Sequence, residues 1–218
     1  MTRNARVVPA ILTDDPVTLQ AMVHLAESFT DYVQFDIMDG IFVPSRSITA
    51  EHLSRIPIRQ QWEAHLMVPH PQDYLDDFRQ AGARRIIFHY EAASDVDEVI
   101  TVARGLGLEV GLAINPETSV ARVLPYTGKL DCILFMSVNP GYYGAKFLPE
   151  VMDKIVEFRK KQPHFEIGID GGVKEDNISM IARAYLKQGL DEQGSRREVE
   201  TESVECSKEV ENGDKRGV

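Results

Sequence analysis

Seven short apolar runs, each followed by a segment with helical patterning, recur along most of this 218-residue chain and limit its fold more than any other feature. Strand-length runs that alternate with helices indicate an α/β protein with a parallel sheet, because each crossover returns the chain to the same end of the sheet. The runs cover residues 6–12, 32–38, 61–68, 84–90, 108–114, 131–138 and 165–170. Helices are predicted at residues 17–27, 49–55, 71–80, 95–105, 118–124, 149–161 and 175–184.

Two architectures fit this order of elements, a doubly wound open sheet and a (β/α)8 barrel of the TIM type. Central strands of an open sheet tend to be apolar on both faces. Here several strands carry pairs of polar residues two or four positions apart, which places both members of each pair on one face. These pairs are Gln34 and Asp36, Glu63 and His65, and Glu166 and Asp170. The pattern favours the barrel, whose strand ends form an active-site mouth.

Three ionisable residues stand near the ends of different predicted strands. Asp36, His65 and Asp170 would converge at the mouth of a barrel. Burying a carboxylate is costly unless an opposite charge compensates it. Two carboxylates and one imidazole suit a divalent ion such as Zn²⁺, Fe²⁺, Mn²⁺ or Co²⁺. The sequence therefore predicts a shared metal site in preference to three separately satisfied polar residues.

Glycine-rich segments follow the sixth and seventh predicted strands, as "NPGYYGAKF" (139–147) and "DGGV" (170–173). Glycine permits positive φ and close approach of the backbone to a ligand. Barrel enzymes frequently bind phosphate at their late βα loops. This position favours a phosphate site over two plain tight turns. The predicted phosphate-binding residues are Gly141, Tyr142, Tyr143, Gly144, Gly171 and Gly172.

The composition narrows the classes of partner. The formal net charge is −10 and the Lys and Arg residues form no cluster, which argues against a nucleic-acid-binding protein. The sequence contains no recognisable signal peptide and no membrane-length apolar stretch. Cys132 and Cys206 lie far apart without metal-binding spacing, so we expect reduced thiols and a cytoplasmic protein. A homo-oligomeric state stays open.

Four segments together resemble the ribulose-phosphate 3-epimerase family, over about residues 6–184. They read "FDIMDGIFVPS" (35–45), "EAHLMV" (63–68), "MSVNPGYYGAKF" (136–147) and "IDGGV" (169–173). The resemblance implies an enzyme that inverts C3 of a ketopentose 5-phosphate, interconverting D-ribulose and D-xylulose 5-phosphates. It also implies metal-assisted transfer of the C3 proton between two bases, through an enediolate.

The resemblance also implies roles for individual residues. Asp36 and Asp170 match the two catalytic aspartates of the family, which also ligate one divalent metal ion (Zn, Fe, Mn or Co). His65 matches a metal ligand that lies against the substrate. The methionines that match positions packed around the reacting carbons are Met38, Met67 and Met136. Filling of the core explains each of these methionines equally well.

Position 34 departs from the family pattern, because Gln34 stands where the family has a further histidine ligand. A neutral amide is a weaker donor to a transition metal than imidazole, so Gln34 is expected to weaken the metal site without abolishing it.

Two other functions stay open. The chain could be an allulose-6-phosphate 3-epimerase, or a catalytically impaired barrel that only binds sugar phosphate.

The end of the chain departs further from the family. Residues 185–218 contain few apolar residues, dense mixed charge and no strand pattern. We therefore predict a barrel domain over residues 1–184 and a charged tail, disordered or atypical, over residues 185–218. The eighth βα unit of the family would then be missing or replaced. An altered splice or reading frame, a genuine tail with another closing element, and a degraded gene product are three open explanations.

Overall fold

The computed structural model describes residues 6–141 and 144–186. In this part of the chain seven parallel strands form one sheet, and their order in the sheet is their order in the sequence. The strands are β1 (Ala10–Ile11), β2 (Tyr32–Met38), β3 (Gln61–Met67), β4 (Arg85–His89), β5 (Glu109–Ile114), β6 (Cys132–Met136) and β7 (Glu166–Asp170). The helices are α1 (Pro16–Ala26), α2 (Ala50–Ser54), α3 (Leu75–Gln80), α4 (Val96–Gly105), α5 (Val151–Lys161) and α6 (Ile178–Leu186).

The sheet is strongly curled. Neighbouring strands lie about 4.8 Å apart, so five steps across a flat sheet would separate β2 from β7 by about 24 Å. The side chain of Gln34 on β2 nevertheless donates a hydrogen bond to Asp170 on β7, with 2.8 Å between Nε2 and Oδ2. The contact forms across the interior of the curl. The curvature belongs to a barrel and excludes the open, doubly wound sheet.

Side chains alternate between two apolar environments along the strands. One face packs under the helices in the main core, where Phe35, Phe88 and Phe135 are fully buried. The other face lines the lumen, where Ile87 and Leu134 belong to a smaller separate cluster. Alternation of this kind follows from the two-residue period of a strand. It explains why a polar residue at one position shares the lumen with polar residues two positions away.

A polar group, here named the base cluster, occupies the lumen where the strands begin. It consists of Tyr32, Glu63, Arg85 and Glu166. Tyr32 Oη donates to Glu63 Oε2 at 2.8 Å, and Arg85 Nη1 lies 3.4 Å from the same oxygen. Arg85 also reaches from β4 to β7, with 2.7 Å between Nη1 and Glu166 Oε1. The base cluster therefore pairs its buried carboxylate with a buried cation at the amino-terminal end of the strands.

The observed elements depart from the predicted ones at a few places. The predicted strand at residues 6–12 is reduced to two residues, because Pro9 has no N–H to donate and only accepts from Gln34 N at 2.9 Å. The predicted helix at residues 118–124 is replaced by two 3₁₀ segments, Val120–Arg122 and Leu124–Lys129. Pro125 and Gly128 in the second segment disfavour a continuous α-helix.

Several predictions fall outside the described residues. Tyr142, Tyr143 and almost all of the predicted tail at residues 185–218 belong to this group, so the two-part division of the chain and the loss of an eighth unit stay predictions. Cys132 is a buried free thiol, and Cys206 lies outside the described residues. Among the helices of the described part, none combines the length and apolar character that crossing a bilayer requires.

Candidate active site

A second polar group lies in the lumen where the strands end, and we name it the mouth cluster. It consists of Gln34 and Asp36 on β2, His65 on β3 and Asp170 on β7. One ligand atom from each of Asp36, His65 and Asp170 can be chosen so that all three atoms lie within 4.8 Å of one another. Strand register brings Asp36 directly beside His65. Barrel curvature, described above, brings Asp170 to the same point from the far side of the sheet.

The members of the mouth cluster are mutually hydrogen-bonded. His65 Nδ1 lies 3.0 Å from Asp36 Oδ1 and 3.3 Å from Asp170 Oδ2. Gln34 Nε2 donates to the same two carboxylates, at 2.9 Å and 2.8 Å. The His65 side chain is fully buried, while the side chains of Asp36 and Asp170 are 11% and 19% exposed. The carboxylates therefore face the opening and the imidazole supports them from below.

The two carboxyl groups have pKa values shifted in opposite directions. Burial, with the nearby charge of Asp170, raises the pKa of Asp36. Burial works against the ionised form of Asp170 as well, but hydrogen bonding and charge from His65 outweigh it and lower the pKa of Asp170. Burial opposes the charged imidazole, yet the two aspartates overcome this and raise the pKa of His65 to about 10. Such a coupled group shares its protons, so these directions describe the cluster as a unit.

The donor set fits a divalent cation. Two carboxylate oxygens and an imidazole nitrogen converge at distances that one ion could span, and these donor types suit Zn²⁺, Fe²⁺, Mn²⁺ and Co²⁺. Gln34 is placed among these donors, but its NH₂ group faces both carboxylates. Rotation of the amide by 180° would turn Oε1 towards the same point. A buried Asp–His–Asp group that could bind a metal is therefore present.

The three predicted methionines all lie near the strand ends. Met38 and Met67 are opposite each other on β2 and β3 and pack with Val43 in a small apolar cluster. Met136 is paired with Asp170 across β6 and β7. All three side chains are buried in apolar clusters near the strand ends. Their predicted contact with the substrate stays a prediction.

The glycine segments adopt backbone conformations that require glycine. Gly141 and Gly171 have φ of 104° and 102°. A Cβ atom at Gly171 would lie 2.3 Å from Val138 Cγ2, and one at Gly141 would lie 2.6 Å from Val43 Cβ. Gly144 and Gly172 also have positive φ, of 74° and 62°. The backbone therefore makes tight turns beside the mouth cluster, which is compatible with the predicted phosphate site.

The hydroxyl of Ser137 ties the end of β6 to the start of the glycine segment that follows β7. Ser137 Oγ lies 2.8 Å from the carbonyl oxygen of Asp170 and 2.6 Å from that of Gly171. The backbone N–H of Ser137 also donates to the Asp170 carbonyl at 2.7 Å. These bonds fix the end of β7 against the end of β6. They hold the backbone from which the Asp170 carboxylate projects.

Sequence reasoning missed one pair of residues beside the mouth cluster. His89, fully buried at the end of β4, has its Nε2 atom 2.9 Å from His65 Nε2. Glu91 follows, with Oε2 3.5 Å from His89 Nδ1. The signal was available, because Arg85, Ile87 and His89 alternate on the lumen face as the residues of β2 and β3 do. A histidine at the last position of that series marks a lumen residue at the mouth.

Solved structures with similar folds are TIM-type barrel proteins. A mutant tryptophan synthase alpha-subunit from Pyrococcus furiosus superposes with a TM-score of 0.62 and 12% sequence identity, covering 82% of this chain and 83% of that one. The 3-keto-L-gulonate-6-phosphate decarboxylase of Vibrio cholerae gives a TM-score of 0.60 at 12% identity, covering 80% and 81%. Identities this low support the fold alone. They confirm the barrel class predicted from the strand pattern.

Sequence comparison identifies a family. Relatives named ribulose-phosphate 3-epimerase include those of Schizosaccharomyces pombe, 34% identical, and Escherichia coli K12, 37% identical. The first alignment covers 83% of this chain and 82% of the relative, and the second covers 82% and 83%. The model of the ribulose-phosphate 3-epimerase family matches residues 6–188. The match includes every strand described above, and the chain therefore belongs to the ribulose-phosphate 3-epimerase family.

Proposed function

We propose that this protein interconverts D-ribulose 5-phosphate and D-xylulose 5-phosphate by inverting the configuration at C3. The observation that carries the proposal is the convergence of Asp36, His65 and Asp170 at one end of the lumen. The family to which the chain belongs indicates the reaction, and the two carboxyl groups and the imidazole of this cluster are able to catalyse it.

Inversion at a carbon beside a ketone requires proton transfer on two faces. The C2 carbonyl acidifies the C3 proton, and removal of that proton leaves an enediolate. One group must take the proton from one face and another must return a proton to the opposite face. Asp36 and Asp170 come from different strands and meet at the mouth, so a substrate carbon placed between them would have a carboxyl group on each side.

The opposed pKa shifts support a division of labour between the two aspartates. A carboxyl group with a raised pKa holds a proton that it can donate, and one with a lowered pKa is ionised and can accept. One carboxyl group of the coupled pair would begin as the acid and the other as the base, and the roles would exchange for the reverse reaction. His65 contacts both carboxyl groups, and it would favour the state in which one of them is protonated and the other is ionised.

The same residues would hold the metal ion. Asp36, His65 and Asp170 are the proposed ligands, and Gln34 is a fourth through its amide oxygen. A divalent cation held there would neutralise negative charge that develops on substrate oxygens. The donor set does not select among Zn, Fe, Mn and Co.

The remaining contacts concern binding. The positive-φ glycines would let backbone N–H groups approach the phosphate, and Tyr142 and Tyr143 are further proposed phosphate contacts. Met38, Met67 and Met136 would pack against the carbon skeleton. A rice relative, 35% identical, is named the cytoplasmic isoform, which supports a cytoplasmic location for this chain.

The test is exchange of the C3 proton of D-ribulose 5-phosphate with solvent deuterium, followed by NMR, with Zn²⁺, Mn²⁺ or Co²⁺ added and with metal removed by chelation. We expect metal-dependent exchange together with formation of D-xylulose 5-phosphate. Folded protein that catalyses no exchange with any of the ions would contradict the proposal and favour a barrel that only binds sugar phosphate. Exchange confined to allulose 6-phosphate would instead assign the longer substrate.

A further inference from the structure

Behind His65, on the side away from the two carboxylates, lies a chain of two further side chains. His65 Nε2 and His89 Nε2 are 2.9 Å apart, and His89 Nδ1 is 3.5 Å from Glu91 Oε2. Both imidazoles are fully buried, and their ring planes are only 21° apart with centroids at 5.0 Å, so the two rings meet nearly edge to edge. The series therefore runs from the mouth cluster to a carboxylate just beyond the end of β4.

The short contact between the two rings requires one donor and one acceptor. Two Nε2 atoms 2.9 Å apart can share only one hydrogen, so one ring presents N–H there and the other presents a lone pair. A neutral imidazole carries one N–H and one lone pair, so the choice at Nε2 also decides whether Nδ1 of that ring is a donor or an acceptor. The groups around the two rings decide between these arrangements.

The carboxylate of Glu91 distinguishes between the arrangements. If neutral His89 carried its proton on Nε2, the lone pair of Nδ1 would face the negative Oε2 atom 3.5 Å away. If His89 carries the proton on Nδ1, that N–H faces the carboxylate and the contact becomes attractive. His89 Nε2 is then the acceptor, and His65 must present N–H at its own Nε2.

Glu91 is held firmly enough to impose this choice. Its Oε1 atom accepts from the backbone N–H of Asn115 at 2.9 Å and from the hydroxyl of Thr118. Lys154 Nζ in turn donates to the carbonyl oxygens of Asn115 and Pro116, at 3.0 Å and 2.9 Å. The loop after β5 and helix α5 thus fix the carboxylate that faces His89.

We propose that Glu91, acting through His89, is a positioning residue that fixes the orientation of the His65 ring and places its proton on Nε2. With Nε2 protonated, the nitrogen left to ligate a metal, once it releases its own proton, is Nδ1, which faces Asp36 and Asp170. A carboxylate behind a ligating histidine is a recurrent means of setting ligand orientation and basicity. Here a second histidine lies between the two. The inference rests on the metal site of the proposed function.

The first experiment locates the ring protons directly. Histidine side chains labelled with ¹⁵N in the full 218-residue chain are observed by long-range ¹H–¹⁵N NMR, with and without Zn²⁺. We expect His89 to be protonated on Nδ1 and unprotonated on Nε2, and His65 to be protonated on Nε2, in both samples. Protonation of His89 on Nε2 would overturn the inference. This measurement needs no variant, so it holds even if a substitution prevents folding.

The second experiment measures Zn²⁺ affinity by competition with a chromophoric chelator. We expect Glu91→Gln to bind Zn²⁺ about 10- to 100-fold more weakly than the wild type, because an amide no longer selects the His89 tautomer. Glu91→Asp keeps the charge and should recover part of the affinity. The matched control is Glu166→Gln, a carboxylate in the base cluster, which should leave the affinity unchanged. Unaltered Zn²⁺ affinity in folded Glu91→Gln would overturn the inference.

The experiments separate the epimerase function from the positioning role of Glu91. A wild-type protein that binds no Zn²⁺ and exchanges no C3 proton would contradict the proposed function itself. A wild-type protein that binds Zn²⁺ and exchanges the proton, with Glu91→Gln equal to it in affinity, would leave the proposed function intact and remove only the role of Glu91.

Discussion

The mouth cluster and the base cluster lie on the same strands, at opposite ends of one lumen, and both contain buried acids. In the base cluster Glu63 faces Arg85, and the two side chains are 7% and 12% exposed. In the mouth cluster two carboxylates share a single imidazole and one neutral amide. One end therefore pairs its buried charges, and the other keeps an excess of acceptors.

The difference indicates what each end is for. A buried charge with a complete set of partners stabilises one arrangement of the chain, whereas an incomplete set attracts a cation or a substrate. Residue type alone does not distinguish these cases, because Glu63 and Asp36 are both buried acids on lumen-facing strands. The partner across the lumen distinguishes them. The following substitutions test that distinction.

The largest expected effect is on turnover at the mouth. Asp36→Asn should lower kcat by about 10²- to 10⁴-fold, because an amide cannot transfer the proton. The melting temperature should stay near that of the wild type, since the amide has almost the same size and shape as the carboxyl group. Steady-state kinetics and thermal melts measure both quantities. Glu63→Gln in the base cluster is the control and should leave kcat near the wild-type value. Near-normal turnover of Asp36→Asn would contradict the two-base mechanism.

The next effect is on stability at the base. Arg85→Met should lower the free energy of unfolding by about 3–5 kcal/mol, because Glu63 would be left buried without its cation. Urea denaturation measures the change. The double variant Arg85→Met, Glu63→Gln should recover much of the loss, and Zn²⁺ affinity of the folded single variant should be that of the wild type. An Arg85→Met variant with the stability of the wild type but weaker Zn²⁺ binding would contradict the assignment of stability to the base cluster and of metal binding to the mouth cluster.

A smaller effect is expected at Gln34. Gln34→His should tighten Zn²⁺ binding by about tenfold, because imidazole replaces a weaker amide donor. Competition titration with a chromophoric chelator gives the affinity. Gln60→His, at another buried glutamine outside the lumen clusters, is the control and should not tighten binding. Equal Zn²⁺ affinity of Gln34→His and the wild type would place residue 34 outside the ligand set.

The smallest effect concerns pH and the base cluster. Burial raises the pKa of Glu63 above its reference value of 4.5. The folded protein then holds a proton that the unfolded chain releases, so this contribution to stability is present below pH 4.5 and is lost as the pH rises through the folded pKa. Glu63→Gln should reduce the fall in unfolding free energy as the pH rises above 4.5. Glu175→Gln, at an exposed carboxylate, should not. If the unfolding free energy of Glu63→Gln depended on pH as that of the wild type does, the raised pKa would not belong to Glu63.

Much of the barrel was predictable because strand period and burial are local properties of the sequence. The alternation of Gln34 with Asp36, and of Glu63 with His65, indicated which face lines the lumen and which residues reach the mouth. The same alternation identified Asp170 as the third member. Parallel strands end at the same edge, so these residues could be grouped before any distance was known.

Other features depend on contacts that the sequence does not encode locally. Pro9 shortens β1 to two paired residues, although the apolar run around it reads as a longer strand. The segment around Pro125 forms 3₁₀ turns in place of the predicted helix, because Pro125 and Gly128 disfavour a continuous α-helix. The direction of the Gln34 amide depends on Asp170, a residue on a distant strand.

The hydrogen bond between Gln34 and Asp170 joins residues 136 positions apart. During synthesis the first acid of the mouth cluster leaves the ribosome long before the second is translated. A nascent chain that stops before β7 lacks Asp170 and so has only one of the two aspartates. The contact of Gln34 with Asp170 must wait for closure of a large loop. Two fragments divided between β5 and β6 would each hold one aspartate. Epimerase activity recovered on mixing such fragments would report their association, so the enzyme could serve as its own sensor of barrel assembly.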